Sequence, residues 1–230
     1  SFKDLFLAGK SEFKKEFADQ NYEDAVNVLE QANYLKPNNP EVLYFLGYAY
    51  SKLNAKDGKS MNSINTNLTI KSSECFEKIN EISPKYYEEK IVQDPYSKIT
   101  SEWGSAALYF LSKDDIDSCK WALKEGKERG GFSDFMLQTI KEEIRLLRKN
   151  AIICSSGDNF IFPILYLQIM DTSINNINVI DLGLLNTIWY PSYLKKTEAI
   201  DFGLSFDDLE KVAYEMWTDT TIHIKKFSWI

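Results

Sequence analysis

The first 130 residues or so carry apolar side chains at steps of three and four positions, the spacing of one helical face. Small and bulky residues occur together in this pattern, as in helix pairs that cross closely and stack on the next pair. Two helix starts are marked alike: Asn39 precedes Pro40 and Asp94 precedes Pro95, so a capping side chain stands before a proline in the first turn. The pattern predicts three consecutive helix pairs.

The three predicted helix pairs are copies of one pattern, with small residues at the helix crossings and large residues between them. In the first copy these residues are Tyr22, Ala25, Leu29, Ala32, Leu35 and Pro37. In the second they are Leu43, Leu46, Gly47, Tyr50, Phe76, Ile79, Ile82 and Pro84. In the third they are Trp103, Ala106, Ala107, Phe110, Ile116, Cys119, Leu123 and Gly126. The first helix of all is expected around Lys10 to Ala18, without the Trp and Gly of the other copies, and the polar run Asn54 to Lys71 is expected to be a mobile insertion.

These copies, and residues 21–53 above all, resemble tetratricopeptide (TPR) repeats over about residues 6–131. The resemblance implies an α-α superhelix whose groove binds a protein or peptide partner, the identity of which the sequence does not reveal. By the phasing of the repeats, these side chains lie on or near the groove: Lys10, Lys14, Tyr44, Tyr48, Lys52, Leu108 and Leu111. The lysines and tyrosines suit an extended, partly acidic peptide. Alternatively, Tyr44 and Tyr48 pack against the C-terminal domain, which then fills the groove.

One class of partner is not expected. TPR domains that hold chaperone tails use basic and asparagine residues at defined groove positions, and the corresponding residues here are Phe45, Ser101 and Ser105. The sequence therefore predicts no binding of chaperone tails.

After the repeats, Ser133 is predicted to cap a closing helix. Its apolar positions are Phe135, Met136, Ile140, Ile144 and Leu147. Because its other face is charged, this helix is expected to end a first domain at about residue 150.

The pattern changes at residue 151, where a second domain, 151–230, is predicted to begin. Ala151 to Cys154 reads as a buried strand, Phe162 to Met170 as a helix and 177–182 as a second strand, which together predict a parallel βαβ unit. Helices are expected over 184–196, with a break before Pro191, and from Ser205 to about Trp217. A third strand over 221–227 would contain His223, the one histidine. The predicted fold is mainly α, a TPR-type superhelix followed by a small α/β domain.

Residues 151–196 carry a second resemblance, in four segments. These are Gly157 to Asn159, Phe162 to Tyr166, Val179 to Thr187, and Trp189 with Tyr190. They resemble the soluble C-terminal region of a bacterial membrane-protein family of unknown function, described as protein O-mannosyltransferase-like. The resemblance implies an accessory or ligand-binding module related to glycosyl transfer, without the membrane portion in which the chemistry would reside. Phe160 departs from the family, which tends to have an acidic residue there.

Two aspartates follow the predicted parallel strands, Asp158 after the first and Asp181 at the end of the second. Ligands dock at the carboxyl ends of such strands, so these residues could form a small polar site with Asn159 and Asn186. The alternative is structural: Asp158 and Asn159 cap a helix that starts near Phe160, and Asn186 satisfies a turn.

Charge and composition exclude several functions. The 230 residues include 27 basic and 34 acidic side chains, a net charge of −7, so nucleic acid is not an expected partner. No apolar run reaches about 18 residues, so the chain is expected to be soluble and not to span a membrane itself. Cys75, Cys119 and Cys154 are predicted to be buried thiols. No catalytic group, cofactor or metal site is predicted.

The leading hypothesis is therefore a non-catalytic adaptor that binds its partner through the groove. The alternative is the accessory module with Asp158 and Asp181. By analogy with the second resemblance, an extracytoplasmic compartment and association with an envelope complex are expected, although three free thiols are unusual there.

Overall fold

The computed structural model describes residues 1–171, 174, 177–200 and 202–211, and the described chain is mainly helical. Three helix pairs come first: α1 (Phe2–Glu12), α2 (Tyr22–Leu35), α3 (Pro40–Asn54), α4 (Thr66–Ile82), α5 (Pro95–Ser112) and α6 (Ile116–Glu128). The later elements are α7 (Asp134–Arg145), β1 (Ala151–Ser155), α8 (Asp158–Tyr166), β2 (Ile177–Asp181), α9 (Trp189–Lys196) and α10 (Phe206–Lys211). Each helix from α1 to α5 packs on the helix that follows it, which confirms the predicted helix pairs.

The predicted helix starts are confirmed at both prolines. The Asn39 side chain accepts a hydrogen bond from the backbone N–H of Val42 (3.0 Å), and Asp94 accepts from the N–H groups of Tyr96 (3.0 Å) and Ser97 (3.1 Å). Such a cap stabilises a helix by about 1 kcal/mol. These local contacts set where α3 and α5 begin.

Close crossings hold the pairs together. A Cβ atom at Gly47 of α3 would lie 2.8 Å from the ring of Phe76 in α4, and one at Gly126 of α6 would lie 2.6 Å from Trp103 in α5. The first pair uses the same device, since a Cβ at Gly9 would lie 2.4 Å from Leu29. The small residues therefore let the helix axes approach each other.

The first helix was predicted wrongly. It spans Phe2–Glu12, because Ser1 and Asp4 form a reciprocal capping box at its start, and the predicted segment 10–18 lies mostly in the connection to α2. The glycine that the sequence analysis did not find in this helix is Gly9.

The polar insertion is shorter than predicted. It covers residues 55–65, with a 3-10 turn over Ser60–Ser63, and α4 already begins at Thr66. Asn54 joins its two ends, since its side chain donates to Thr69 Oγ1 (3.0 Å) and accepts from the backbone N–H of Asn65 (2.7 Å). Ile64 is buried, so the insertion packs onto the solenoid.

The closing helix α7 begins at the predicted cap, where Ser133 Oγ accepts from the N–H of Met136 (3.2 Å). Its buried residues are Leu137, Ile140 and Ile144. Phe135, predicted to face the core, is 83% exposed, because the helical face that packs on the neighbouring helices begins at Leu137 instead.

The predicted βαβ unit is confirmed, with β1 and β2 parallel in a register that runs from Ala151 opposite Ile177 to Ser155 opposite Asp181. Strand β1 is not buried throughout as predicted, since Ile152 and Cys154 point outward. Helix α8 begins earlier than predicted, at Asp158, and a π-helical turn over Leu167–Asp171 follows it. Its N-cap residue is Gly157, whose φ of 113° suits glycine.

Two later predictions meet different outcomes. Pro191 does not break a helix, because it stands in the first turn of α9, where the N–H that proline lacks would have no partner in the helix. Ser205 caps α10 as predicted, since its Oγ accepts from the N–H of Asp208 (3.1 Å). The expected continuation to Trp217, and the expected strand with His223, lie outside the described residues.

One of the three thiols differs from the prediction. Cys75 and Cys119 are buried, and burial raises the pKa of each thiol to about 12, whereas Cys154 is exposed on β1. We expect a water-soluble thiol reagent near neutral pH to modify Cys154 about a hundredfold faster than the other two. The fast phase should disappear in Cys154→Ser. Equal reaction of all three thiols would contradict this burial.

Candidate functional site

The connection between α4 and α5, residues 83–94, lies across the inner side of the first two helix pairs and is called the strap here. The backbone N–H of Ile91 donates to the Tyr44 hydroxyl (3.0 Å), which in turn donates to the carbonyl of Gln93 (2.7 Å). The N–H of Gln93 donates to the Tyr48 hydroxyl (2.8 Å). Tyr86 stacks on Tyr44, with ring centroids 4.8 Å apart and planes 15° apart. The strap thus covers both groove tyrosines.

Neither alternative from the sequence describes these tyrosines. Tyr44 and Tyr48 are fully or almost fully buried, so they do not line an open groove. Within the part of the chain that the structure describes, the strap covers them, through Tyr86, Ile91 and Gln93. Burial also raises the pKa of both phenols, so both hydroxyls stay protonated near neutral pH and keep their hydrogen bonds.

The two N-terminal groove lysines lie at the edge of the strap. Lys10 Nζ donates to Glu41 (2.6 Å) and to Glu89 of the strap (2.8 Å), and it stands 4.8 Å from the ring centroid of Phe45. Burial acts to lower the pKa of Lys10, but the two glutamates outweigh it and the pKa is raised. Lys14 is exposed and lies 4.0 Å from Glu89. Lys10 is therefore a fixed cation that holds the strap.

Beyond the strap, a polar cavity of about 300 Å³ remains on the inner side of the solenoid. Its walls come from α3, the connection 55–65, α5, the end of the strap and the start of α8. The polar and charged groups that line it include Ser51, Lys52, Asn54, Asp57, Gln93, Lys98, Ser101, Glu102, Ser105 and Asp158. This cavity brings together Lys52, predicted to contact a protein partner, and Asp158, predicted to contact a ligand.

Two of the five charged side chains that the described residues contribute to the cavity form an ion pair with each other, and a third is held by hydrogen bonds. Lys98 and Glu102, one turn apart on α5, form an ion pair of 2.6 Å with side chains only 8% and 6% exposed. Lys98 Nζ also donates to Ser51 Oγ (2.9 Å) and stands 4.8 Å from the ring centroid of Tyr48. Asp57 accepts from the N–H groups of Lys59 and Ser60, which together with the Ser60 hydroxyl lower its pKa against the effect of burial.

Lys52 is held less firmly. Its Nζ donates to the carbonyl of Lys56 over a long 3.4 Å, and Glu102, Asp57 and Asp158 attract it only through space. Burial, and then the positive charge of Lys98, lower the pKa of Lys52. An ammonium in this position is stabilised by any additional negative group that enters the cavity.

The start of α8 closes one side of the cavity. Gln93 Nε2 donates to Asp158 Oδ2 (3.4 Å), and Asn159 Nδ2 donates to Ser97 Oγ (2.9 Å), so α8 is fastened to the strap and to α5. One of the two interpretations was that Asp158 and Asn159 cap α8. They do not, because the N-cap residue is Gly157 and no side chain forms a capping hydrogen bond there.

The other two predicted ligand residues lie elsewhere. Asp181 is buried, and its Oδ1 accepts from the N–H groups of Gly183 (2.8 Å) and Leu184 (3.3 Å). Burial raises the pKa of Asp181, although these hydrogen bonds oppose the shift. It lines a separate cavity of about 70 Å³ between α5, α8 and α9. Asn186 is exposed in a 3-10 turn. The structure thus places Asp158 in one cavity with Lys52, whereas Asp181 lines a different cavity and Asn186 is exposed. The charge of Asp158 still reaches Asp181 and adds to the rise of its pKa.

Sequence reasoning missed the strap and the pair Lys98–Glu102. The pair could have been found, since a Lys and a Glu four positions apart share one helical face, and here this face is also the inner one. Tyr86 gave a weaker signal, as an aromatic residue within a charged run.

Comparison with known proteins gives one match. A family model described as the TPR repeat matches residues 14–54, which contain α2 and α3. This supports a TPR protein and, in general, a scaffold for protein interactions. No curated protein and no solved structure matches the chain, so the likeness of residues 151–196 to mannosyltransferase-like proteins gains no support.

No described helix is long and apolar enough to cross a membrane. Within the same residues, His, Cys, Asp and Glu side chains form no group of three that could hold a metal ion.

Proposed function

We propose that this chain is a non-catalytic scaffold that binds a protein segment on the inner side of its solenoid, and that an acidic group of the partner enters the cavity beside Lys52. The observation that supports the proposal is how the ammonium group of Lys52 is surrounded. Its ammonium lies partly buried in a cavity of about 300 Å³ with one long hydrogen bond, whereas its neighbours Lys98 and Glu102 neutralise each other.

The physical argument concerns the cost of burying this charge. A buried ammonium without a close counter-ion loses hydration, which is why the pKa of Lys52 is lowered. A carboxylate of the partner that reaches Nζ would supply the missing counter-ion inside a partly desolvated space, where a charge-assisted hydrogen bond is strong. The Ser105 hydroxyl lines the same cavity and can donate a second bond.

The test compares two lysines on different sides of the solenoid. We expect Lys52→Met to weaken capture of the partner at least about tenfold, the loss of one charge-assisted hydrogen bond, whereas Lys124→Met on the exposed face of α6 should leave capture unchanged. The readout is affinity capture on the tagged chain with quantitative mass spectrometry.

A stability measurement separates binding from folding. Because the ammonium of Lys52 is disfavoured in the folded state, Lys52→Met should raise the free energy of unfolding or leave it within about 0.5 kcal/mol. Denaturant titration checks this. A loss of stability together with a loss of capture would mean that Lys52 serves the fold, and equal capture by both variants would end the proposal.

Partner binding is expected to weaken as the pH rises. The folded pKa of Lys52 lies below the ordinary value of 10.5, so the ammonium that the partner needs is present below the folded pKa and is lost as the pH rises through it. Partner binding should therefore weaken before the pH reaches 10.5, and Lys52→Arg should extend binding to higher pH.

A second candidate function is a small-ligand module in the α/β part, as an accessory to glycosyl transfer in a bacterial envelope complex. The observation in its favour is that Asp158 lines the cavity and could accept hydrogen bonds from sugar hydroxyls. It predicts a rise in melting temperature with a simple sugar that disappears in Asp158→Ala and persists in Asp207→Ala, on the exposed side of α10. The scaffold predicts no such rise.

A further inference from the structure

The strap contacts the solenoid in the way that an extended peptide contacts a groove. Tyr86 is 7% exposed although its neighbour Tyr87 is 84% exposed. The residues around them, Lys85, Glu88, Glu89 and Lys90, are exposed as well. One side chain of a charged run is therefore inserted into the protein while the rest face solvent.

Three kinds of contact hold the strap. The Tyr86 ring stacks on Tyr44, and the carboxylate of Glu89 accepts from Lys10. The third contact is with the backbone, since the Tyr44 and Tyr48 hydroxyls bond the N–H groups of Ile91 and Gln93. An aromatic anchor, an ion pair and bonds to the backbone together recognise an extended chain.

The strap depends on these contacts because it has little structure of its own. Neither helix nor strand is present between Ile82, the last residue of α4, and Pro95, the first of α5. The surface beneath it, in contrast, consists of side chains on the regular helices α1 and α3. Segments held by few contacts open locally at a lower free energy than the helices they cover.

We propose that the surface formed by Lys10, Tyr44 and Tyr48 binds an extended protein segment in which an aromatic residue is followed, three positions later, by a carboxylate, and that the strap occupies this surface until the partner displaces it. The inference rests on the proposed scaffold function and names the kind of segment that is bound. Because the strap is tethered, its effective concentration at this surface is on the order of millimolar. A partner must therefore bind the surface more tightly than the strap does in order to displace it.

The experiment measures how tightly the strap sequence binds when it is added as a separate peptide. Residues 84–93 of the full chain are replaced by a glycine–serine run of equal length, so that Gln93 no longer occupies the Tyr44 and Tyr48 hydroxyls. A fluorescent peptide with the sequence of residues 84–94 is then titrated while its anisotropy is followed. We expect saturable binding to this variant and at least about tenfold weaker binding to the wild-type chain, in which the strap competes.

The strap sequence itself supplies matched control peptides. Tyr86→Ala in the peptide should weaken binding about tenfold or more, and Tyr87→Ala should not, because only the first ring is buried. Likewise Glu89→Gln should weaken binding and Glu88→Gln should not, since Lys10 pairs with Glu89. Absence of binding to a folded variant, or equal effects within each pair, would overturn the proposal.

A second measurement applies if the replaced chain does not fold. Hydrogen exchange of the wild-type chain should show the amides of Ile91 and Gln93 exchanging at least about tenfold faster than the helical amides of α3, through local opening of the strap. Exchange of both sets at the rate of global unfolding would make the strap a fixed part of the fold and overturn the proposal.

The outcomes are distinct from those of the scaffold test. Peptide binding depends on Lys10, Tyr44 and Tyr48, whereas capture through the cavity depends on Lys52. If Lys52→Met has no effect on capture and the peptide still binds, the proposed role of the cavity is wrong and the strap surface remains supported. If Lys52→Met abolishes capture and the peptide does not bind, only the proposal for the strap surface is wrong.

Discussion

Lys98→Met is expected to lower the free energy of unfolding by about 3 kcal/mol, because it leaves the buried carboxylate of Glu102 without its close ion-pair partner. The control is Lys124→Met. Lys124 and Glu128 have the same residue types at the same spacing, but their side chains are 67% and 59% exposed, so a change of less than about 0.5 kcal/mol is expected. Urea titration of both variants measures the difference.

A double variant tests the explanation. Lys98→Met combined with Glu102→Met should recover most of the lost stability, because an apolar pair of similar volume removes the unpaired charge. If Lys98→Met costs no more than Lys124→Met, the pair is solvated in solution. The cavity would then be open to water, and the ammonium of Lys52 would be hydrated and gain little from a partner carboxylate.

Gly104→Ala is expected to cost about 2 kcal/mol although alanine is the better helix former. A Cβ at this position in α5 would lie 2.1 Å from Cγ of Phe162 in α8, a distance that requires the ring or the helix to move. In a helix free of such contacts the same change would gain about 1 kcal/mol. The sign of the effect therefore reports whether α8 packs directly on α5.

The background Phe162→Ala supplies the control for this prediction. With the ring removed, Gly104→Ala should become neutral or stabilising by up to about 1 kcal/mol. Thermal or denaturant unfolding of the four variants completes the cycle. If alanine stabilises the wild-type chain as well, α8 does not pack closely on α5 and does not form a wall of the cavity.

The sequence predicts the solenoid well because its determinants are local. Helical periodicity, the caps at Asn39 and Asp94, and the small residues at the crossings depend on residues a few positions apart. The βαβ unit follows in the same way from apolar runs and a turn. The division into two domains at residue 150 remains a prediction.

The strap could not be predicted, because nothing within residues 83–94 repeats at a helical or strand period. Its position comes from contacts with residues about 40 positions away or more, such as Tyr44 with Ile91 and Lys10 with Glu89. For the same reason Tyr44 and Tyr48 were expected at the groove surface. Helical phasing assigns them correctly to the inner face but does not reveal that another segment covers that face.

The candidate site was predicted in part. Lys52 and Asp158 lie far apart in the sequence and were assigned to different functions, yet they line one cavity. Their proximity depends on how α8 packs on α5 through Gly104, a tertiary contact that no local pattern encodes. Asp181 lines a different cavity, and its carboxylate accepts hydrogen bonds from its own turn at Gly183 and Leu184.

The proposed function requires that a protein partner contacts the inner side of the solenoid beside Lys52. The most direct test places a photoreactive diazirine amino acid at Met61, which lines the cavity, or at Lys124 on the exposed face of α6. We expect protein adducts at position 61 that Lys52→Met removes, and few adducts at position 124. Adducts at position 124 alone, or adducts at position 61 that persist in Lys52→Met, would contradict it.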